Sequence, residues 1–163
     1  MSDAVKLIVG LGNPGDKYTH SRHNAGFWFI DALVEHYNLV LKPEKKFYGA
    51  HAVFVIDDVT IHLLRPDTFM NLSGRALVAI AQYYKISPSQ ILVAYDDMEL
   101  AVGNMKLKDT GGHSGHNGIS NIMQLLGAKD FKRLRIGINR PPTGADVSSY
   151  VLSKMPSIDK EIS

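Results

Sequence analysis

The sequence of 163 residues contains no cysteine, which excludes disulfide bonds, thiolate zinc sites and a cysteine nucleophile. No apolar run approaches the roughly 18 residues of a membrane-spanning helix, and the first residues, MSDAVK, lack the layout of a signal peptide. A net charge of only +2 excludes a chain that is strongly basic as a whole. We therefore expect a soluble, intracellular protein, and its length is typical of one domain.

Positive charge is concentrated in one part of the chain. Residues 101–140 contain seven basic and two acidic residues, so this segment carries +5 and the remainder carries −3. The basic residues are Lys106, Lys108, Lys129, Lys132, Arg133, Arg135 and Arg140. Such a segment predicts either a local phosphate-binding face or an ordinary solvated edge, and charge alone does not separate the two.

The stretch around which the chain is organised is KLIVGLGNPGDKYTHSRHNAG, residues 6–26. Its short apolar run stops at closely spaced glycines, which predicts a buried strand that breaks into a tight loop. The glycines also match the dinucleotide pattern G-x-G-x-x-G, but Pro14 lacks the backbone N–H that a pyrophosphate would need. The acidic residue expected at the end of a second strand is missing too, because Asp31 falls within the predicted helix FWFIDALVEHY. We therefore interpret the stretch as the wall of an active site.

Further along the chain, short apolar runs typical of strands alternate with runs of helical spacing. Helices are predicted at 25–37, from about residue 73, where Ser73 is a candidate N-cap, and after Gly118. Strands are predicted at 47–56, 60–64, 91–95, 105–108 and 134–138, with Asp57 and Asp58 forming a turn. This alternation predicts an α/β fold: a single-domain sandwich with a mixed, mostly parallel twisted sheet flanked by helices.

Polar side chains follow three of the predicted strands, where functional sites of α/β folds lie. Asn13 and His23 follow the first strand, Met70 and Asn71 the third, and Asp96 the fourth. If these strands are neighbours, the clusters meet at one edge of the sheet. His23 backed by Asp96 would then form a competent general base, because the carboxylate fixes the tautomer and stabilises the imidazolium.

Two other hydrolytic sites are less well supported by the pattern. Ser114 lies in GHSGH, which departs from the nucleophile elbow G-x-S-x-G at its last position and does not follow a strand directly. A metal could be bound by His113, His116 and the pair Asp96-Asp97, but the H-E-x-x-H motif is absent. Amides such as Asn13 are poor zinc ligands but good partners for a peptide carbonyl or an oxyanion. An activated water is therefore the favoured nucleophile.

Six motifs, in this order and at these separations, resemble bacterial peptidyl-tRNA hydrolase: GLGNPG, RHNAG, FMNLSG, YDDMEL, GGHSGHNG and RLRIGI. The resemblance covers about residues 5–155. It implies a metal-free esterase without a cofactor, which cleaves the ester between a peptide and the 3′-terminal ribose of tRNA. In translation, this reaction recycles tRNA lost from stalled ribosomes.

The resemblance also assigns roles to particular residues. His23 matches the catalytic base, Asp96 the carboxylate that orients it, and Asn13 the amide that helps to place the pair and the substrate. The residues that match the cleft for peptide and tRNA end are Tyr18, Met70, Asn71, His116 and Asn117. Those that match tRNA phosphate ligands are Lys106, Lys108 and Arg135.

The resemblance implies peptidyl-tRNA as the partner of a cytoplasmic monomer that binds neither metal nor membrane. We expect residues 1–163 to form one peptidyl-tRNA hydrolase domain that lacks the C-terminal helix usual in the family. A non-catalytic RNA-binding protein of the same fold is the alternative, and it predicts loss of the catalytic polar residues, which are present here.

Overall fold

The computed structural model describes residues 4–13, 24–97, 104–108 and 116–137. They form one seven-stranded sheet in the order β2-β3-β4-β1-β5-β7-β6, with helices on both faces. The strands are β1 Leu7–Gly10, β2 Lys42–Glu44, β3 Gly49–Ile56, β4 Val59–Pro66, β5 Ile91–Asp96, β6 Asn104–Lys108 and β7 Lys132–Gly137. The helices are α1 Ala25–His36, α2 Ser73–Tyr83 and α3 Asn117–Leu126.

The predicted fold class is confirmed. β4, β1, β5 and β7 are parallel neighbours, whereas the ladders β2–β3, β3–β4 and β6–β7 are antiparallel. The predicted turn between β3 and β4 is present, and both Asp57 and Asp58 have positive φ, as a tight hairpin turn requires. β2, which contains Pro43, was not predicted, because proline in a charged connector indicates a loop and is tolerated only in edge strands.

β1 lies at the centre of the sheet and is buried along its whole length. Its side chains alternate between two cores: Ile8 packs with α1 on one face, and Leu7 and Val9 pack with α2 and α3 on the other. The helix α1 approaches the end of β1 so closely that a Cβ on Gly10 would lie 2.2 Å from the carbonyl oxygen of Gly26. The first glycine of the opening loop therefore serves helix packing.

No helix in the described ranges is both long enough and apolar enough to span a bilayer.

Two histidines form a pair on the β3–β4 hairpin. Nε2 of His51 and Nδ1 of His62 lie 2.9 Å apart, and the His62 ring stacks on Tyr84 with a centroid separation of 4.0 Å. Burial lowers the pKa of His62 to about 4, and the nearby His51 adds to this effect. Burial also lowers the pKa of His51, whereas the carboxylate of Glu44 opposes that shift. Folding therefore favours the neutral rings.

This pair predicts a loss of stability in mild acid. A histidine whose pKa is lower in the folded than in the unfolded chain contributes stability above about pH 6.5, and this contribution is lost as the pH falls through about 4. We expect the Tm of His62→Gln to fall less between pH 7 and pH 5 than that of the unsubstituted protein, by about 3 °C. His36→Gln, an exposed histidine at the end of α1, is the control. Equal pH dependence of Tm in all three proteins would contradict this assignment.

Candidate active site

Asn13 links the end of β1 to the segment that follows β4. Its side-chain Oδ1 accepts a hydrogen bond from the backbone N–H of Met70 at 2.6 Å. The adjacent Leu11 N–H donates to the carbonyl of Ala94 in β5, so the chain still follows the sheet at this point. Since Oδ1 is occupied by Met70, the NH₂ group of Asn13 is the part of the amide that remains to face a ligand.

The buried Asn24, just before α1, holds the backbone of Asn13 in place. Its Oδ1 accepts from Asn13 N–H at 2.8 Å, and its Nδ2 donates to the Asn13 carbonyl at 3.2 Å. The Asn24 amide thus binds both backbone groups of Asn13, as a neighbouring strand would. The Asn13 side chain is not needed for these bonds and binds Met70 instead. Sequence reasoning gave Asn24 no such role, although its place in RHNAG beside His23 was a usable signal.

Asp96 ends β5 and is bonded to the residue that precedes α3. Its Oδ1 lies 2.8 Å from Nε2 of His116, and both side chains are nearly buried. His116 caps α3, because its Nδ1 accepts from the backbone N–H of Ile119 at 3.2 Å. Because Nδ1 accepts a hydrogen bond, Nε2 carries the ring proton and donates a hydrogen bond to the Asp96 carboxylate. The contact fixes the carboxylate of Asp96 at the edge of the sheet.

Met70 joins these two parts of the site. A Cβ on Gly118, in the first turn of α3, would lie 2.8 Å from the Met70 sulfur and 3.1 Å from the His116 ring. Asn13, Met70, His116 and Asp96 therefore form one contiguous group across the carboxyl ends of β4, β1 and β5. The structure thus brings these residues together, and their roles at an active site stay predictions. His116 was predicted to line the cleft, but its bond to Asp96 was not anticipated.

Asn71 and Asn117 present their amides on the rim of this group. Asn71 lies in a one-turn 3-10 helix, Met70–Leu72, and Asn117 is the first residue of α3. Both are exposed, and neither side chain is engaged in a hydrogen bond within the part of the chain that the structure describes. Each amide is thus available to a ligand, as a peptide-binding role would require.

The prediction that Ser73 caps α2 is wrong. Ser73 lies inside the helix, where its hydroxyl donates to the carbonyl of Met70 at 2.7 Å, and the residue before the helix is Leu72. The cap comes from another helix: Oδ1 of Asn121 in α3 accepts from Gly74 N–H at 2.6 Å. A Cβ on Gly74 would lie 2.7 Å from the Asn121 carbonyl oxygen, so glycine allows this approach. A cap supplied from such a distance along the chain leaves no local sequence signal.

Asn121 is expected to fix the start of α2, and with it Asn71, relative to α3. We predict that Asn121→Leu, which keeps the volume but removes the acceptor, destabilises the protein by about 1–3 kcal/mol, because Gly74 N–H loses its partner. Asn121→Asp should retain stability or raise it, because a carboxylate can accept the same bond and is favoured at a helix N-terminus. Denaturant unfolding of both variants checks this. Equal stability of the Leu and Asp variants would contradict the role.

Not all basic residues of the segment 101–140 are exposed to solvent. Lys106 and Lys108 are exposed on the edge strand β6. Arg135, opposite Lys106 in the ladder, is largely buried, and its Nε donates to Oδ2 of Asp97 at 2.6 Å. Arg133 is fully buried, with its guanidinium 4.3 Å from the centre of the Phe131 ring. Binding of phosphates by Lys106, Lys108 and Arg135 stays a prediction.

Several predicted residues lie outside the described residues. These are Tyr18, His23, His113 and Ser114, and also the chain end, where the family's helix was expected to be missing. Within the described ranges, no group of three or more His, Asp or Glu side chains is placed to hold a metal ion. The pairing of His23 with Asp96 stays a prediction.

Comparison with known proteins shows which family the chain resembles. A sequence model of the family described as peptidyl-tRNA hydrolase matches residues 7–163. The peptidyl-tRNA hydrolase of Coxiella burnetii is 52% identical over 153 residues, which cover 94% of this chain and 80% of that protein. That of Haemophilus influenzae is 50% identical over 158 residues, covering 96% and 81%.

The fold is also similar to that of a solved peptidyl-tRNA hydrolase. The crystal structure of peptidyl-tRNA hydrolase from Acinetobacter baumannii superposes with a TM-score of 0.79 at 44% identity, covering 96% of this chain and 79% of that one. Sequence and fold therefore give the same result. The chain belongs to the peptidyl-tRNA hydrolase family.

Proposed function

We propose that the protein hydrolyses the ester between a peptide and the 3′-terminal ribose of tRNA, with a water molecule that His23 deprotonates. Membership of the family supports the reaction. The observation that carries the residue assignment is the convergence of Asn13, Met70 and the Asp96–His116 pair at one edge of the sheet. A nearly buried carboxylate at this edge is suited to orient a histidine base.

The proposed reaction is hydrolysis of the ester by water, with His23 as the group that accepts and returns the proton. His23 takes a proton from water, and the oxygen attacks the ester carbonyl carbon. The NH₂ group of Asn13 is suited to stabilise the resulting oxyanion, since its carbonyl is bound to Met70. When the tetrahedral intermediate collapses, the bond to the ribose oxygen breaks and the imidazolium returns the proton to that oxygen. The products are the free peptide acid and tRNA, which is thereby recycled for translation.

Selectivity for a blocked amino group would come from the rim amides. Asn71 and Asn117 can each offer a donor and an acceptor to the first peptide bond of the substrate. A free ammonium group supplies donors but no carbonyl acceptor, so an amide of the rim would be left without its partner. Free aminoacyl-tRNA should therefore be a poor substrate.

The tRNA is proposed to lie towards β6 and β7. Lys106 and Lys108 are exposed there, and Tyr18 is assigned by resemblance to the receipt of the tRNA end. Arg135 donates a hydrogen bond to Asp97, which holds its guanidinium in one position. It would therefore meet a phosphate without having to be ordered first. We further propose a cytoplasmic monomer of one domain that needs no metal, cofactor or membrane.

The function is tested by release of an N-acetylated amino acid from its tRNA, with the free aminoacyl-tRNA of the same identity as control. We expect rapid cleavage of the acetylated substrate, and cleavage of the free one slower by two orders of magnitude or more. Equal cleavage of both would contradict the proposed selectivity. Binding of tRNA without cleavage of either would contradict the enzyme and favour an RNA-binding role.

A further inference from the structure

The buried Tyr95 contacts the histidine that holds Asp96. Tyr95 lies in β5 directly before Asp96, and it is only 4% exposed. Its ring packs against the His116 ring, with a centroid separation of 4.9 Å and an angle of 73° between the ring planes. His116 is bonded to the Asp96 carboxylate through one nitrogen and to the first turn of α3 through the other. Tyr95 thus supports the side chain that joins Asp96 to α3.

The hydroxyl of Tyr95 is bound by the buried Arg133. In the β5–β7 ladder, Val93 lies opposite Arg133 and Tyr95 lies opposite Arg135. Tyr95 and Arg133 are therefore diagonal neighbours on one face of the sheet, a separation that long side chains can span. A hydrogen bond joins the two side chains. Because arginine has donors only, the guanidinium donates and the phenol oxygen accepts.

Arg133 is held at two further points. Its Nη2 donates to the carbonyl of Lys129 at 2.9 Å, and its guanidinium lies 4.3 Å from the centre of the buried Phe131 ring. Lys129 belongs to the connection between α3 and β7. Since Arg133 is only 1% exposed, this cation is part of the protein interior and not of a phosphate-binding face.

These contacts connect in series, and we call Arg133, Tyr95, His116 and Asp96 the positioning chain. Both ends of α3 are attached to it, the start through His116 and the connection that follows its end through Arg133. A carboxylate that orients a general base must itself be held within a fraction of an ångström, which requires support from the groups behind it. A shift of the His116 ring would carry the Asp96 carboxylate with it.

We propose that Tyr95 is a positioning residue for ester hydrolysis, which acts through His116 on Asp96, and that Arg133 holds Tyr95 in place. This inference rests on the proposed function, in which Asp96 orients His23. Loss of Tyr95 should therefore lower kcat and leave KM within a few-fold, because the groups assigned to bind the substrate are unchanged.

The kinetic test uses three substitutions in β5 and N-acetylated aminoacyl-tRNA as substrate. Tyr95→Leu removes the ring that packs on His116, whereas Tyr95→Phe keeps the ring and removes only the acceptor for Arg133. Leu92→Ala is the matched control, because Leu92 is equally buried on the same strand but packs in the core beside α1. Each variant is assayed at a temperature at which circular dichroism shows it to be folded.

We expect kcat to fall by about 10–100-fold in Tyr95→Leu, the usual effect of removing a side chain that orients a functional group through another. The fall should be smaller but measurable in Tyr95→Phe, and kcat of Leu92→Ala should stay within a few-fold. Arg133→Met breaks the same hydrogen bond from its other end. The double variant with Tyr95→Phe should therefore lose no more kcat than the worse of the two single variants.

Nitrogen NMR of the imidazole rings at pH 8 tests the positioning without turnover, with His116→Gln to assign the signal. The structure places the proton of the His116 ring on Nε2. We expect this one tautomer in the unsubstituted protein and in Leu92→Ala, and a mixture of both tautomers in Tyr95→Leu.

Equal losses of kcat in Tyr95→Leu and Leu92→Ala overturn the positioning role, because they would reflect a general loosening of the core. An unchanged His116 tautomer in Tyr95→Leu, or a rise in KM without a fall in kcat, overturns it too, while the proposed function stands. If Tyr95→Leu does not fold, an unchanged kcat in both Tyr95→Phe and Arg133→Met overturns it. Failure of the unsubstituted protein to cleave the substrate overturns the proposed function, and this inference with it.

Discussion

Asp96→Asn is expected to lower kcat for an N-acetylated aminoacyl-tRNA by about two to four orders of magnitude, with KM changed only a few-fold. Asp96 is 8% exposed, and its Oδ1 accepts from Nε2 of His116. An asparagine oxygen can accept the same bond, so the fold should be retained. What is lost is the negative charge that would orient His23 and stabilise its imidazolium in the transition state.

Asp97→Asn is the matched control for this substitution. Asp97 is adjacent and also nearly buried, but its carboxylate binds Nε of Arg135. Its loss should raise KM, because Arg135 is assigned to the tRNA, and should leave kcat within a few-fold. A kcat of Asp96→Asn within threefold of the unsubstituted protein would contradict the proposed role of Asp96, since even one catalytic proton transfer contributes about 10²–10⁴-fold.

His23→Ala is expected to remove most turnover, about 10²–10⁴-fold in kcat, with little change in tRNA affinity. The side chain is assigned to take a proton from water, and it is not assigned to hold the tRNA. Single-turnover cleavage together with tRNA binding by fluorescence anisotropy separates these two effects. His36→Ala, at the exposed end of α1, controls for the loss of a histidine as such.

Added imidazole sharpens the His23 test. A free imidazole that diffuses into the vacated space can restore part of the proton transfer in His23→Ala, whereas it should have no effect on Asp96→Asn, which retains the ring. Turnover of His23→Ala equal to that of His36→Ala would show that another group activates the water, and the proposed mechanism would be wrong.

The strands that were predicted well from the sequence are buried apolar runs that end at clearly polar residues or glycines. Ile91–Asp96 is an example, because a fully buried parallel strand gives a continuous apolar run that a polar pair ends. The same logic located Asn13 and Asp96, since the ends of parallel neighbours meet at one edge of a sheet. Both residues do lie at that edge, and their catalytic roles stay predictions.

What sequence missed depends on contacts between distant residues. The cap of α2 comes from Asn121, 47 residues beyond Gly74, and the bond between Asp96 and His116 was not anticipated. From the sequence, Arg133 was counted among the basic residues of a possible phosphate-binding face. In the structure it is buried, and its guanidinium lies over the Phe131 ring. None of these follows from local periodicity, because each is decided by which elements pack together.

The proposed mechanism depends most on a neutral histidine that acts without a metal. The most direct test is the single-turnover rate of the unsubstituted protein on N-acetylated aminoacyl-tRNA, measured in EDTA from pH 5 to pH 8 and corrected for spontaneous ester hydrolysis. We predict full activity in EDTA and a rate that rises with pH and then levels off, because only the neutral imidazole of His23 can take a proton from water. A rate abolished by EDTA, or one that does not change with pH over this range, would contradict the central claim.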